Sequence, residues 1–342
     1  MLSVFIKGMM ESTSPKESIP IVLVLMTDEK IIGIVPLLLT KKFGIRFAKL
    51  LLDVWFSPDF IFDIEYSKVC MQSSLNFIFN HLGCQFVTLY LPDDSLNLPI
   101  LKQICEINHM HFRRKNEPWL NHSVISVDRT WDDFQKSQSK NFRHRFKQIE
   151  RRLSRAGQWQ ILLFEHADHE QEVLGKIMDI EKTSWKQNWR RQHNALVDES
   201  LLKFWEISSF AIRTYPDFER SVWFLELNGD AIAYSLVVQY EGTAYIAKTS
   251  YNNQYRKIYP GIYVNNAAIQ NLFNCDRIKI IDLMTNLPFH EIWKSKHLLR
   301  VELSLWKGFL PNLFESIIQR QQIRTITGRL IPAELVQQLP LV

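Results

Sequence analysis

The stretch Thr243–Lys294 reads TAYIAKTSYNNQYRKIYPGIYVNNAAIQNLFNCDRIKIIDLMTNLPFHEIWK. Its first residues, up to Ser250, alternate between aromatic and small apolar side chains, which is typical of a half-buried strand. After a polar turn, Pro260-Gly261 opens an apolar run at helical spacing, where the missing proline N–H costs nothing. The β-branched run Ile278–Asp282 then predicts a buried parallel strand. This order of strand, turn, helix and strand predicts a βαβ unit.

The turn of this unit has the composition of an anion site. Backbone N–H groups and the positive end of the helix dipole face a turn that precedes a helix. Arg256 and Lys257 lie in this turn. One interpretation is therefore a site for a phosphate-bearing ligand. The other is a solvated basic turn, and the sequence leaves both open.

Composition limits the class of protein. The chain has 342 residues, 46% of them hydrophobic, and a net charge of +5. It is long enough for two domains and too apolar to be disordered. The small charge excess does not indicate a DNA-binding protein, and no DNA partner is expected. The four cysteines are widely spaced, so we expect neither a disulfide framework nor a metal site.

The chain also lacks the marks of a membrane or secreted protein. No apolar run reaches membrane-spanning length, because Asp28, Glu29 and Lys30 interrupt the most apolar region. The first residues lack a cleavage site of small residues after an apolar core. We therefore expect a cytoplasmic protein.

Residues 1–130 have the pattern of a mixed α/β domain. Apolar runs at Ile21–Met26 and Ile31–Thr40 flank a polar turn and predict a hairpin. Periodicity predicts further strands and helices. The strands are Arg46–Asp53, Gln85–Leu91 and Ser123–Val127, and the helices are Lys68–Leu82 and Ile100–Met110.

A single long helix is predicted over Trp131–Ala156, ending at Gly157. Its second half, Lys140–Arg155, carries seven Lys and Arg residues against one acid, Glu150. Apolar residues recur there at helical spacing, so one stripe should pack while the cations surround it. The basic face could be solvated, could bind phosphate or RNA such as tRNA, or could contact an anionic membrane.

The second half of the chain repeats the pattern of the first. A strand at Trp159–Glu165 and two helices lead to a hairpin whose turn is Asn228-Gly229, a strong hairpin signal. The likeness of the two hairpins predicts two copies of one α/β fold with a mixed sheet, joined by the basic helix. The predicted divisions are 1–130, a linking helix 131–157, a second domain 158–308 and a helical tail 309–342.

Several short segments carry a family resemblance over residues 20–305. They are Ser139–Arg143, Thr183–Lys186, Leu227–Ala233, Lys248–Gly261, and Asp282 with Trp293-Lys294. Together they resemble the GNAT superfamily of N-acetyltransferases, specifically a tandem-domain branch linked to cellulose-biosynthesis acetyltransferases. That branch is itself similar to the Fem-type aminoacyltransferases.

The resemblance implies transfer of an acyl group from acyl-CoA to an amine acceptor by direct attack. It places the acyl-CoA cosubstrate at the turn, on Arg256, Lys257, Tyr259, Pro260 and Gly261. The family pattern there is Arg/Gln-x-x-Gly-x-Gly/Ala, and this chain has one glycine fewer. The first domain would be degenerate.

Direct attack requires that two substrates be held together, that a proton be accepted and that an oxyanion be stabilised. Asp282 is the candidate base, at a strand end where open α/β sheets place ligands; it could also cap its own turn. Tyr251 could donate its hydroxyl to the oxyanion or the leaving thiolate. Lys248 could contact an anion or pair with Asp282. His290 and Glu291 are further base candidates.

Trp185, Trp293 and Lys294 are assigned to acceptor binding, with core packing as the alternative for the two tryptophans. Two other functions remain open. A Fem-like transferase would use aminoacyl-tRNA, whose phosphates the basic helix would contact. A scaffold without catalysis would keep the fold to bind a partner or a membrane. The acceptor, the acyl chain and the oligomeric state are not predicted.

Overall fold

A computed structural model describes residues 18–42, 44–50, 59–116, 121–165, 169–184, 186–187 and 197–307. The described residues form two compact units. One unit comprises Ser123–Lys296, and the other comprises the residues before Ser123 together with those after Lys296. The predicted tail, 309–342, lies outside the described residues.

The elements are numbered along the chain. The strands are β1 Ser18–Met26, β2 Ile31–Lys42, β3 Ile45–Leu50, β4 Ile61–Phe62, β5 Phe86–Pro92, β6 His111–Asn116, β7 His122–Ser126, β8 Trp159–Glu165, β9 Glu219–Leu227, β10 Asp230–Tyr240, β11 Thr243–Tyr251, β12 Ile280–Asp282, β13 Lys296–Leu298 and β14 Arg300–Trp306. The helices are α1 Ser67–Asn76, α2 Asn97–Ile107, α3 Trp131–Ser137, α4 Lys140–Ala156, α5 Glu170–Thr183, α6 Val197–Thr214 and α7 Pro260–Leu272.

The first sheet has the order β1-β2-β3-β5-β14-β6, and β4 pairs with β2. The predicted hairpin is confirmed, because β1 and β2 pair antiparallel from Ser18–Thr40 to Met26–Ile31. β14 lies between β5 and β6, antiparallel to both. The last strand of the described chain therefore belongs to the first unit. The predicted boundaries at 130 and 308 differ from this division.

The second sheet has the order β13-β7-β12-β11-β10-β9-β8. β8 to β11 pair antiparallel in succession, whereas β11 and β12 run parallel with α7 as their connection. The predicted βαβ unit is confirmed. The hairpin between β9 and β10 turns at Asn228 and Gly229, which have φ values of 54° and 89°. Two successive positive φ values suit the right-handed twist of paired strands.

Helices cover both faces of the second sheet. α5 and α6 pack on one face around Phe224 and Tyr234, and α3, α4 and α7 pack on the other around Trp223 and Leu225. Successive residues of β9 thus serve opposite cores, as the alternation of a strand requires. The chain is a mixed α/β protein with two mixed sheets. In the described part of the chain, no helix is long and apolar enough to cross a membrane.

The predicted helix over Trp131–Ala156 is corrected to two helices, α3 and α4. Gln138 and Ser139 between them have extended backbone, and the Ser139 side chain accepts the N–H of Phe142 at 3.2 Å. A serine cap of this kind starts a new helix. The buried stripe of α4 is confirmed, and α4 belongs to the second unit instead of linking two domains. The stripe comprises Phe142, Phe146, Ile149 and Leu153.

Candidate active site

Strand β11 continues well beyond the end of its parallel neighbour β12. The two strands pair at Thr243–Ile280, Ala244–Ile281 and Tyr245–Asp282. β11 then continues to Tyr251 while it remains paired with β10 on its other side. The edge of residues 246–251 that faces β12 is therefore not paired with that strand. A strand edge that lacks a paired neighbour suits an extended chain that carries amide groups.

A bulge divides the two parts of β11. Leu236 pairs with Lys248 and Val237 pairs with Ile246, so Ala247 is an extra residue in the ladder. Beyond the bulge, Thr249 faces α7, because its Oγ1 donates to Asn265 Oδ1 at 2.8 Å. A bulge re-aims the strand that follows it. The bulge lies just beyond Tyr245, the last residue of β11 that pairs with β12.

The turn after β11 leads directly to the start of α7. Asn252 accepts the N–H of Gln254 at 3.0 Å and begins a 3₁₀ helix over Asn253–Ile258. Pro260 is the first residue of α7 and has no N–H, and the N–H groups of Gly261 and Ile262 lack acceptors within the helix. These two donors and the positive end of the α7 dipole favour an anion at the turn.

Tyr259 occupies the position where the acyl-CoA loop pattern has its first glycine. Its backbone is left-handed, with φ 61° and ψ 46°. This conformation costs a residue with a side chain about 1–2 kcal/mol. The Arg152 guanidinium lies over the Tyr259 ring, 5.5 Å from its centroid, and Nη1 donates to the Lys257 carbonyl at 2.9 Å. α4 therefore supports the turn at the residue that departs from the pattern.

Gly261 and Tyr251 are packed against each other. A β-carbon on Gly261 would lie 3.0 Å from Tyr251 Cδ1. Burial raises the pKa of the Tyr251 hydroxyl, and the charge of Arg256 partly offsets that rise. Tyr251 thus stays protonated near neutral pH and remains a hydrogen-bond donor. It faces α7, whereas Lys248 lies on the face of β11 that α5 and α6 cover.

Asp282 is buried at the end of β12, 3% exposed, and caps the turn that follows it. Its Oδ1 accepts the N–H of Met284 at 2.6 Å. Asp282 pairs with Tyr245, and paired residues of neighbouring strands point to the same face. Burial, and next the charge of Asp282, raise the pKa of Tyr245.

His290 is buried beside this turn, and its imidazole is neutral. Burial lowers its pKa to about 4, while the Thr285 carbonyl and the charge of Asp282 act in the opposite direction. Nδ1 lies 2.8 Å from the Thr285 carbonyl and 3.4 Å from the Leu287 nitrogen. The shorter contact indicates that Nδ1 carries the proton and donates it to Thr285.

The remaining predicted site residues do not form one cluster in the described structure. Trp293 is fully buried and donates from Nε1 to Asn266 Oδ1 at 3.1 Å, so it belongs to the core and presents no surface to an acceptor. Lys294 has φ 47°, and its Nζ donates to the Ser137 carbonyl at 3.4 Å. Lys248 is half-buried. Trp185 lies outside the described residues.

A buried polar network near β11 was not predicted from the sequence. Glu181, 1% exposed, accepts the Tyr234 hydroxyl at 2.6 Å and lies 3.4 Å from Lys186 Nζ. Lys186 Nζ also donates to the Thr249 carbonyl at 2.8 Å, in the part of β11 beyond the last β12 pair. The network ties the end of α5 to that segment. The only local sequence signal for this network is the charge of Glu181 and Lys186 near the apolar end of α5.

The described residues contain no group of three or more His, Cys, Asp and Glu side chains suited to a metal ion. The site is instead a strand edge, a basic turn and a helix N-terminus arranged in series. Residues 140–295 match the family model of the acetyltransferase (GNAT) domain. This GNAT match covers every element of the site. It supports acyl transfer in general for this segment.

The fold is similar to that of tandem GNAT proteins. A tandem GNAT protein from the clavulanic acid biosynthesis pathway is 12% identical, with TM-score 0.50, over 90% of this chain and 89% of that one. FemX is 10% identical, with TM-score 0.54, over 84% and 88%. The C-terminal domain (DUF2156) of an Agrobacterium fabrum protein assigned as a lysylphosphatidylglycerol synthetase is 11% identical, with TM-score 0.53, over 88% of each chain. No curated protein matches the sequence.

Proposed function

We propose that the protein transfers an acyl group from an acyl-CoA thioester to an amine. The carrying observation is that β11 continues beyond the end of β12, from Tyr245 to the turn before α7. The pantetheine arm of CoA is extended and bears amides, and its diphosphate follows. A strand edge that β12 does not pair with, leading to a basic helix N-terminus, matches that order of groups.

In the proposed reaction, the amine nitrogen attacks the thioester carbonyl. The C–N bond forms, the C–S bond breaks, the amine loses a proton and the thiolate leaves. Asp282 is the proposed proton acceptor, in addition to its contact with the Met284 N–H. Tyr251, protonated near neutral pH, is the proposed donor to the leaving sulfur. Lys248 remains a candidate for contact with the acceptor. It lies on the face of β11 that α5 and α6 cover, opposite to Tyr251.

The test is release of the CoA thiol from acetyl-CoA in the presence of amino sugars, amino acids and polyamines. We expect at least one amine class to accelerate release and to gain the acetyl mass. Asp282→Asn should lower that rate about 10²–10⁴-fold, because the amide keeps the Met284 contact but cannot accept the proton. Asp230→Asn, on the exposed hairpin, is the matched control. A rate unchanged by Asp282→Asn would remove Asp282 from this role.

A second candidate is an aminoacyl-tRNA-dependent transferase. The observation that favours it is the exposed outer face of α4, where cations recur along the whole helix. They are Lys140, Arg143, Lys147, Arg151 and Arg155. This face would contact tRNA phosphates, and binding would weaken steeply with salt. Replacing Arg151 and Arg152 by alanine should then abolish binding, and a flat salt dependence of tRNA binding would contradict this candidate.

The same face could contact an anionic membrane, but only through charge, because the apolar stripe of α4 lies in the core. A scaffold that binds partners without catalysis is the remaining alternative. It predicts that Asp282→Ala and Arg256→Ala leave cellular function intact. Loss of function in stable variants would contradict it.

A further inference from the structure

We propose that Arg152 of α4 is a donor-binding residue that contacts the diphosphate of acyl-CoA at the turn before α7. This inference rests on the proposed function. It adds a residue outside the loop that the acyl-CoA pattern describes, more than a hundred positions earlier in the sequence.

Arg152 is fixed beside the turn by two contacts. Nη1 donates to the Lys257 carbonyl at 2.9 Å, and the guanidinium lies 5.5 Å from the centroid of the Tyr259 ring. Tyr259 immediately precedes α7, so Arg152 stands next to the helix end whose first N–H groups lack acceptors within the helix. The side chain is exposed. A guanidinium has five N–H donors, and the Lys257 carbonyl takes one.

The sequence of the turn explains why a cation beside Tyr259 would be useful. Where the pattern has a glycine, the backbone can approach a phosphate closely. Here Tyr259 holds that position in a left-handed conformation and adds a ring. Arg152 packs on that ring. Its planar cation lies where the backbone of a glycine would approach the phosphate. Arginine forks bind phosphate oxygens in pairs. We infer that Arg152 compensates for the missing glycine.

A purely structural role for Arg152 is the competing explanation, since its contacts also hold the turn. The chain supplies a control for it. Arg151 is exposed and is the adjacent residue, but it lies one helical step away. It lines a shallow depression of about 430 Å³ on the outer side of α4 with Lys147, Glu150, Ser154 and Arg155. Arg151→Ala therefore removes the same charge without touching the turn.

The experiment is calorimetric titration of the full chain and its variants with three probes. CoA and dephospho-CoA both carry the diphosphate, and pantetheine carries no phosphate. We expect Arg152→Ala to weaken CoA and dephospho-CoA equally, about tenfold, and to leave pantetheine unchanged. Arg152→Lys should lose much of the same affinity, because an ammonium lacks the fork. Arg151→Ala should change each constant less than twofold.

Three results would overturn the inference in distinguishable ways. Equal effects of Arg152→Ala and Arg151→Ala would show that only net charge matters. Equal losses on pantetheine and CoA would show that Arg152 holds the turn without touching phosphate. A loss confined to CoA would place Arg152 on the 3′-phosphate. If the unaltered protein binds no CoA at all, the proposed function fails first, before any variant is compared.

Discussion

Tyr251 Cδ1 lies 3.0 Å from the point that a β-carbon on Gly261 would occupy, so the end of β11 packs directly against the start of α7. The family resemblance places Gly261 in the acyl-CoA loop, where a glycine lets the backbone approach a phosphate closely. In the structure its lack of a side chain has a nearer cause, the tyrosine ring. The end of β11 and the start of α7 are thereby held at a fixed spacing.

Gly261→Ala should therefore push the Tyr251 ring and destabilise the protein by about 1–3 kcal/mol. Adding Tyr251→Ala should make room for the methyl group, so the double variant should lose less than the sum of the single variants. Urea unfolding measures both. Gly175→Ala in α5 is the control, since nothing lies within 4 Å of its added carbon and a helical alanine is favourable. Additive losses at Gly261 and Tyr251 would contradict the packing explanation.

Gly157, which ends α4, faces a harder constraint. A β-carbon there would collide with Asn228 Oδ1, and the backbone has φ 154°. Asn228 cannot easily move, because its Oδ1 accepts the Gln158 N–H at 3.0 Å and its own N–H donates to the Gln158 carbonyl at 2.7 Å.

We expect Gly157→Ala to destabilise the protein by about 2 kcal/mol or more, through backbone strain and this collision. Gly229→Ala is the matched control, with φ 89° but nothing within 4 Å of an added carbon. It should cost only the backbone part. Urea midpoints that shift equally for the two variants would show that the Asn228 collision contributes nothing.

The buried His290 predicts a pH dependence of stability. Its pKa is lowered from 6.5 to about 4, chiefly by burial. Between these values the unfolded chain binds a proton that the folded chain does not, so stability falls as the pH drops from about 6.5 towards 4. His290→Asn keeps a donor for the Thr285 carbonyl and should flatten this part of the curve. The measurement is the urea unfolding free energy from pH 4.5 to 7.5, and equal slopes for both proteins would rule out His290 as the cause.

Loss of the Tyr234–Glu181 hydrogen bond should lower the free energy of unfolding. Tyr234→Phe removes the hydroxyl that donates to Glu181 at 2.6 Å, in a site where both side chains are buried. We expect a loss of about 1–3 kcal/mol, because the carboxylate keeps its desolvation cost. Tyr240→Phe, at the half-buried end of the same strand, is the control. Unfolding free energies within 0.5 kcal/mol of each other would contradict this view of the network.

Much of the fold follows from local sequence. Three local signals predict an element and place its ends within a few residues. They are the hairpin turn at Asn228-Gly229, the proline that opens α7 and the apolar alternation of β11. The apolar spacing continues across the break between α3 and α4 and therefore predicts one helix, although Ser139 is a recognisable cap. The predicted second domain, 158–308, includes the residues of β14, yet β14 belongs to the first sheet. Its partners β5 and β6 lie far away in sequence, and no local pattern identifies them.

The candidate site was predictable only in part. The turn and Gly261 were found because a βαβ unit places them beside each other along the chain. Arg152 was noticed only as one of many cations, because nothing local shows that it reaches Tyr259. The sequence leaves Trp293 open to acceptor binding or core packing, and the structure encloses its indole, which donates to Asn266. Tertiary contacts decide these roles.

The most direct test of the central claim is thermal unfolding of the full chain with acetyl-CoA, compared with pantetheine and buffer alone. A ligand present at a hundred times its dissociation constant adds roughly 2.7 kcal/mol of stability. We predict that acetyl-CoA raises the unfolding midpoint by several degrees and that Arg256→Ala diminishes the rise. No rise at millimolar acetyl-CoA would contradict an acyl-CoA site at this turn and favour the tRNA-dependent and scaffold alternatives.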